Sequence, residues 1–178
     1  MKTHQLFSIF LLLFFVNKAT AQLVKTVELQ VTGLTCSMCS QATEKSLSTL
    51  PYIDKITPDL NRNVFVITFK KGSQVNFDQL QKKVKDAGFS VGKLEATFDF
   101  DQARIDENGQ TSFGSQTYRF VNAKNKVLDG LIKTSLVDKN FISTAAYKQK
   151  LATVKFDSYA TGMGQVNGKK TRIFHLSL

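Results

Sequence analysis

Apolar positions recur along this chain with two periods, and the alternation between them sets the order of elements. In residues 24–31, Val27, Leu29 and Val31 fall on one face at period two, which predicts a strand. Residues 32–35 (TGLT) form a turn. From Ser37 the spacing changes to three and four, through Cys39, Ala42 or Thr43, Ser46-Leu47 and Leu50, which predicts a helix that Pro51 ends. A short strand over 52–57, a turn-rich stretch over 58–63 and a strong strand over 64–70 (VFVITFK) follow, broken by Lys71-Gly72-Ser73. Asn76 or Asp78 caps a second helix with the stripe Phe77, Leu80, Val84 and Ala87, and Gly88 stops it. Beyond Phe89, Val91 stands by itself, then Leu94, Ala96, Phe98 and Phe100 share a face against Lys93, Glu95, Thr97 and Asp99. The order β-α-β-β-α-β is the split unit of ferredoxin-like folds, and it closes near Glu95.

Residues 97–178 read as a second, β-rich domain in an α+β chain. A hairpin-type turn falls at 106–109, strands at 117–121 and 127–137 with a bend at Gly130, and a short helix at 143–151 capped by Ser143. A strand at 153–159, with Val154 and Phe156 alternating, a loop at 162–168 and a last strand at 171–178 complete it. Counted with the strand near Phe98, this succession predicts a small barrel of the OB type.

The first residues belong to a different category. Lys2 precedes an apolar run at 6–16 (LFSIFLLLFFV), and Ala19-Thr20-Ala21 supplies small residues at the cleavage positions. The run is shorter than the roughly 20 residues a spanning helix needs, so residues 1–21 predict a cleaved secretory signal with a mature start near Gln22. No Cys marks a lipid-anchored start, and no second apolar run approaches spanning length. A periplasmic or secreted protein without stable membrane insertion is the expectation. At 42% hydrophobic and 21% charged, the composition is globular rather than disordered. The formal charge is +10, and +8 once Lys2 and Lys18 leave with the signal. The lysines are scattered, which reads as a solvated basic face and not as a nucleic-acid tail, with steering toward an acidic protein partner as the alternative reading.

The chain's two cysteines, Cys36 and Cys39, form one C-x-x-C between the first strand and the first helix. A helix N-terminus offers free N–H groups and a partial positive charge, both of which favour thiolate. Thiolates select soft ions. A structural zinc site needs four Cys or His ligands, and the mature chain offers two Cys and one His, so zinc-ribbon readings fail on ligand count. Two sulfurs suit a low-coordinate ion, Cu(I) first, with Hg(II), Zn(II) or Cd(II) as further candidates. Such an ion can leave by exchange with a partner's thiolate.

The run Gly33-Leu34-Thr35-Cys36-Ser37-Met38-Cys39 with the following SQATEKSL closely resembles the heavy-metal-associated domain, over residues 24–95. The resemblance implies that Cys36 and Cys39 are the metal ligands, in a metallochaperone or mercury-binding-protein-like module that passes its ion to a transporter or an assembly factor of cuproenzymes. It also implies that Leu34, where the family usually has Met, props the loop. Phe89, where relatives have Tyr or Lys, then packs near the site. Residues 97–178 resemble no family. Two other readings of the same residues stand beside this one: a thiol-disulfide oxidoreductase using the C-x-x-C, and an interaction protein that responds to metal. Met38 reads as solvent-facing, and His175 as a hydrogen-bonded strand residue outside the site. No Ser-His-Asp arrangement and no phosphate loop is visible in the sequence, which predicts a non-enzymatic carrier.

Overall fold

The computed structural model describes residues 23–178. The expected signal peptide, residues 1–21, lies outside the described residues. The first half is built as its periodicity requires: β1 (Val24–Thr32), α1 (Ser37–Ser48), β2 (Ile53–Asp59), β3 (Val64–Phe69), α2 (Phe77–Asp86) and β4 (Ser90–Ile105). These four strands lie antiparallel in the order β2-β3-β1-β4, which is the ferredoxin-like arrangement. The alternating residues Val27, Leu29 and Val31 of β1 and Phe65, Ile67 and Phe69 of β3 are all buried. Asn76 caps α2 by accepting the N–H of Gln79, and Gly88 follows the helix with φ +91°.

β4 decides the rest of the architecture. Its buried face runs through Leu94, Ala96, Phe98 and Phe100 and resumes past a bulge at 101–102 with Ala103 and Ile105. One edge of β4 pairs with β1 and the other with β7 (Lys126–Leu136), from Leu94↔Leu136 to Ile105↔Lys126. The sheet therefore runs on through β7, β9 (Lys169–Ser177), β6 (Gln116–Phe120) and β5 (Gln110–Phe113), with β6 and β9 parallel. The bend expected at Gly130 (φ +72°) is present. It faces a bulge in β4, where Gln102 (φ +46°) donates its N–H to Asp129 Oδ1 at 3.2 Å.

The expected barrel is not formed. Among the described residues β5 pairs only with β6 and no ladder joins it to β4, and the strands make an open sheet continuous with the first half. The physical reason is the length of β4, which commits its second edge to β7 instead of leaving a separate sheet to close on itself. The helix at 143–151 is α3 (Thr144–Thr153), capped by Ser143 as expected, with the Ala146 N–H bonded to its hydroxyl. The strand expected at 153–159 is instead a coil leading into α4 (Asp157–Thr161). The loop at 162–168 is a hairpin: β8 (Met163–Val166) pairs with β9 through a turn at Asn167 (φ +49°) and Gly168 (φ +75°), the two-residue geometry of a type I′ turn.

One apolar core serves both halves. Phe77 of α2 is fully buried, its ring 6.3 Å from Phe98 and 5.4 Å, edge-on, from Phe174 of β9. Phe98 stacks on Phe100 and meets Tyr118 edge-on at 5.5 Å. α2 thus lies between the first four strands and the C-terminal strands. Arg172 of β9 fixes the same seam. Its Nε and Nη2 grip the Asp78 carboxylate at 3.0 and 3.1 Å, and Nη1 reaches Asp138 at 3.2 Å. The opposite face of the sheet is wet. It carries ion pairs such as Lys25–Asp99, Lys93–Glu95 and Lys133–Glu28, whose exposure limits what each contributes. Among the described residues, no helix is long and apolar enough to cross a membrane.

Candidate metal centre

The β1–α1 turn delivers the two thiols to one point. Gly33 takes φ +93°, a conformation that costs a side-chain-bearing residue dearly, and lets the strand turn into the helix. Cys36 is the N-cap of α1, in extended conformation, and its sulfur accepts the N–H of Cys39 at 3.4 Å. Cys39 sits one turn on, inside the helix. Their sulfurs are 2.8 Å apart, both thiols are free, and Cys36 is exposed while Cys39 is half-buried.

The electrostatics favour ionised sulfur. The Cys36 thiol, hydrogen-bonded to the Cys39 sulfur, holds the Cys39 thiol below its ordinary value. Burial opposes this, and further hydrogen bonds from Thr35 support it. The separation of 2.8 Å lies between two chemical states. A disulfide needs about 2.0 Å. Two metal–thiolate bonds of about 2.3 Å place the sulfurs roughly 3.8 Å apart at a tetrahedral angle and about 4.6 Å apart when linear.

The surrounding residues fall where the resemblance placed them. Leu34 is half-buried against the core, and so is Phe89. Phe89 borders the turn, since a Cβ at Gly33 would stand 3.5 Å from its ring. Met38 is 76% exposed, which leaves it to solvent or to a partner. Among the described residues, no group of three or more His, Cys, Asp or Glu is gathered for a metal ion. His175 is fully buried and hydrogen-bonded in the C-terminal half, remote in role from the thiols. The structure does bring His175 together with Ser158 and Asp138, a grouping that sequence reading passed over. The three are separated by 17 to 37 positions, and no local motif joins them.

Fold and motif together define a class, a ferredoxin-like module with a surface dithiol at its first loop–helix junction. Residues 28–90 match the family model of the heavy-metal-associated domain, and this part of the chain is such a domain. The match does not extend into the C-terminal half. No curated protein matches the chain. Among solved structures, oxidized MerP from Ralstonia metallidurans CH34 is 31% identical, covering 38% of this chain and 96% of its own, with a TM-score of 0.35. The yeast copper transporter domain Ccc2a is 29% identical over 36% of this chain and 88% of its own, with a TM-score of 0.34. The N-terminal soluble domains of Bacillus subtilis CopA are 18% identical over 76% of this chain and 91% of their own, with a TM-score of 0.38.

Proposed function

We propose that this protein binds a single soft metal ion, Cu(I) by preference, between the thiolates of Cys36 and Cys39. It then passes that ion to a partner's thiolates in the cell envelope, after removal of residues 1–21. The observation that carries the reading is the pair of free thiols, one exposed and one half-buried, within a heavy-metal-associated domain at a helix N-terminus. Soft thiolates favour Cu(I) over harder ions, and two protein ligands leave the ion open to a third from outside. Transfer follows as an associative exchange. An incoming thiolate bonds the ion, one Cys–metal bond breaks, and charge is conserved at each step. Met38 stands at the mouth of this site and offers an apolar contact to the docking protein.

Anaerobic titration of the reduced protein against a coloured Cu(I) chelator tests the reading. One ion per chain is expected for the wild type, with competition lost in Cys36→Ser/Cys39→Ser. Unchanged stoichiometry in the double variant would remove the proposal. The closeness of the sulfurs also favours a second reading, thiol–disulfide exchange. Catalysed reduction of insulin by the dithiol form, abolished in the same variant, would select it instead.

A further inference from the structure

A buried relay in the C-terminal half is unused by metal binding. Ser158 Oγ lies 2.9 Å from His175 Nε2, and His175 Nδ1 lies 2.9 Å from Asp138 Oδ1. The Asp138 carboxylate also accepts the His175 backbone N–H at 2.7 Å and Arg172 Nη1 at 3.2 Å. Surrounded by donors, Asp138 acts as acceptor toward the ring, which puts the imidazole proton on Nδ1 and leaves Nε2 as an acceptor. The Ser158 oxygen already accepts Arg119 Nη1 at 3.2 Å, so its own hydrogen points to Nε2. The bonds thus have the directions needed to pass the serine proton to His175 Nε2, while the Asp138 carboxylate orients the ring and stabilises the imidazolium that forms. Tyr159 packs edge-on against the imidazole, with ring centroids 5.1 Å apart, and holds its plane.

Arg119 supplies the second observation. Among the described residues, its Nε is the buried side-chain nitrogen or oxygen without a hydrogen-bond partner. The guanidinium is held over the Phe156 ring at 4.5 Å and touches the serine oxygen. An unmatched buried donor beside an oriented hydroxyl is what a developing oxyanion would complete.

We propose that Ser158 is the nucleophile of a second site, acting on carboxylic esters, with His175 as general base, Arg119 as oxyanion donor and Asp138 as the positioning residue. Ser158 Oγ bonds the carbonyl carbon while its proton passes to His175 Nε2. The carbon–alkoxide bond then breaks, and the alkoxide leaves with that proton. Water, deprotonated by His175, cleaves the resulting acyl-serine to acid and regenerates the hydroxyl. Ser158 is 4% exposed, and β8 covers it. A Cβ at Gly164 would stand 3.6 Å from that of Ser158, an ordinary van der Waals separation, so β8 lies directly against the serine. β8 pairs only with β9, over four residues, and is the element whose lifting admits a substrate. This site is independent of the dithiol reading.

The test exposes the full mature chain, in the Cys36→Ser/Cys39→Ser background, to an alkyl fluorophosphonate and maps adducts by peptide mass spectrometry. Ser158 Oγ displaces fluoride from phosphorus, and the proton leaves through His175. One adduct at Ser158 is expected, absent in Ser158→Ala and slowed by about 100-fold or more in His175→Gln. Asp138→Asn should lower the maximal labelling rate while leaving the half-saturating probe concentration unchanged, a split that a purely structural role would not produce. Should the His175 or Asp138 variant fail to fold, the wild type still decides. Folded wild-type protein that acquires no adduct at Ser158 overturns the proposal. So does a Ser158→Ala variant that loses thermal stability while the wild type stays unlabelled, or a folded His175→Gln labelled at the wild-type rate.

Discussion

Replacing Phe77 by alanine tests whether the two halves of this protein share one core. Phe77 belongs by sequence to the second helix of the metal-binding module, yet its ring meets Phe174 of the last strand edge-on at 5.4 Å as well as Phe98 of β4. It is fully buried. Truncating such a ring removes its transfer free energy and leaves a cavity, about 3–5 kcal/mol, and the loss of an edge-on aromatic pair places it in the upper part of that range. Against a total stability of about 5–15 kcal/mol, this is a large fraction. At about 2–4 °C per kcal/mol for a chain of this size, the melting midpoint should fall by roughly 8–20 °C. Urea unfolding followed by both tyrosine fluorescence and far-UV circular dichroism is the assay. A single transition is expected, with the two probes coincident and the slope unchanged. Two transitions, of which only one moves, or a loss below about 1 kcal/mol, would refute the shared core.

Other expectations follow from the same structure. Arg172→Lys cannot reproduce the two-pronged grip on Asp78 together with the bond to Asp138, and should cost about 1.5–3 kcal/mol in urea unfolding, whereas equal stability would show the seam is held by packing. Tyr118 and Tyr159 are fully buried, and burial pushes both phenols well above the ordinary value of 10, reinforced for Tyr159 by the Asp138 charge. Their contribution is complete below pH 10. It is lost as pH rises above that, because the unfolded chain releases those protons first, so alkaline unfolding and phenolate absorbance should appear together. Titration of either phenol near pH 10 in the folded protein would contradict their burial. Met38→Ser, at an exposed position, should change stability by no more than about 0.5 kcal/mol and leave metal stoichiometry intact, while slowing transfer to a partner.

The legible part of this fold is the part where periodicity and burial coincide. Alternating Val27, Leu29 and Val31, and later Leu94 to Phe100, announce strands because one face of each meets helices. The thiols were legible because turn, motif and helix start are contiguous in sequence. Val154 and Phe156 misled because two apolar residues at spacing two do not distinguish a strand from a coil that drops both into a small cluster with Tyr147 and Tyr159. β8 was silent, since Met163-Gly164-Gln165-Val166 carries no alternation. The one available signal was Asn167-Gly168, a hairpin dipeptide. The missing barrel traces to a count of strands that carried no information on partners. Nothing in the local sequence says that β4 spends its second edge on β7. The Ser158–His175–Asp138 grouping is created by topology, where the exit of β7, the start of α4 and the last strand converge.

X-ray absorption of the reduced protein loaded with one equivalent of Cu(I) asks directly what surrounds the ion. Two sulfur scatterers at a thiolate distance of about 2.2–2.3 Å, replaced by nitrogen or oxygen in Cys36→Ser/Cys39→Ser, are predicted. A first shell dominated by nitrogen or oxygen in the wild type, or one unaltered in the double variant, would contradict binding by the Cys36–Cys39 pair.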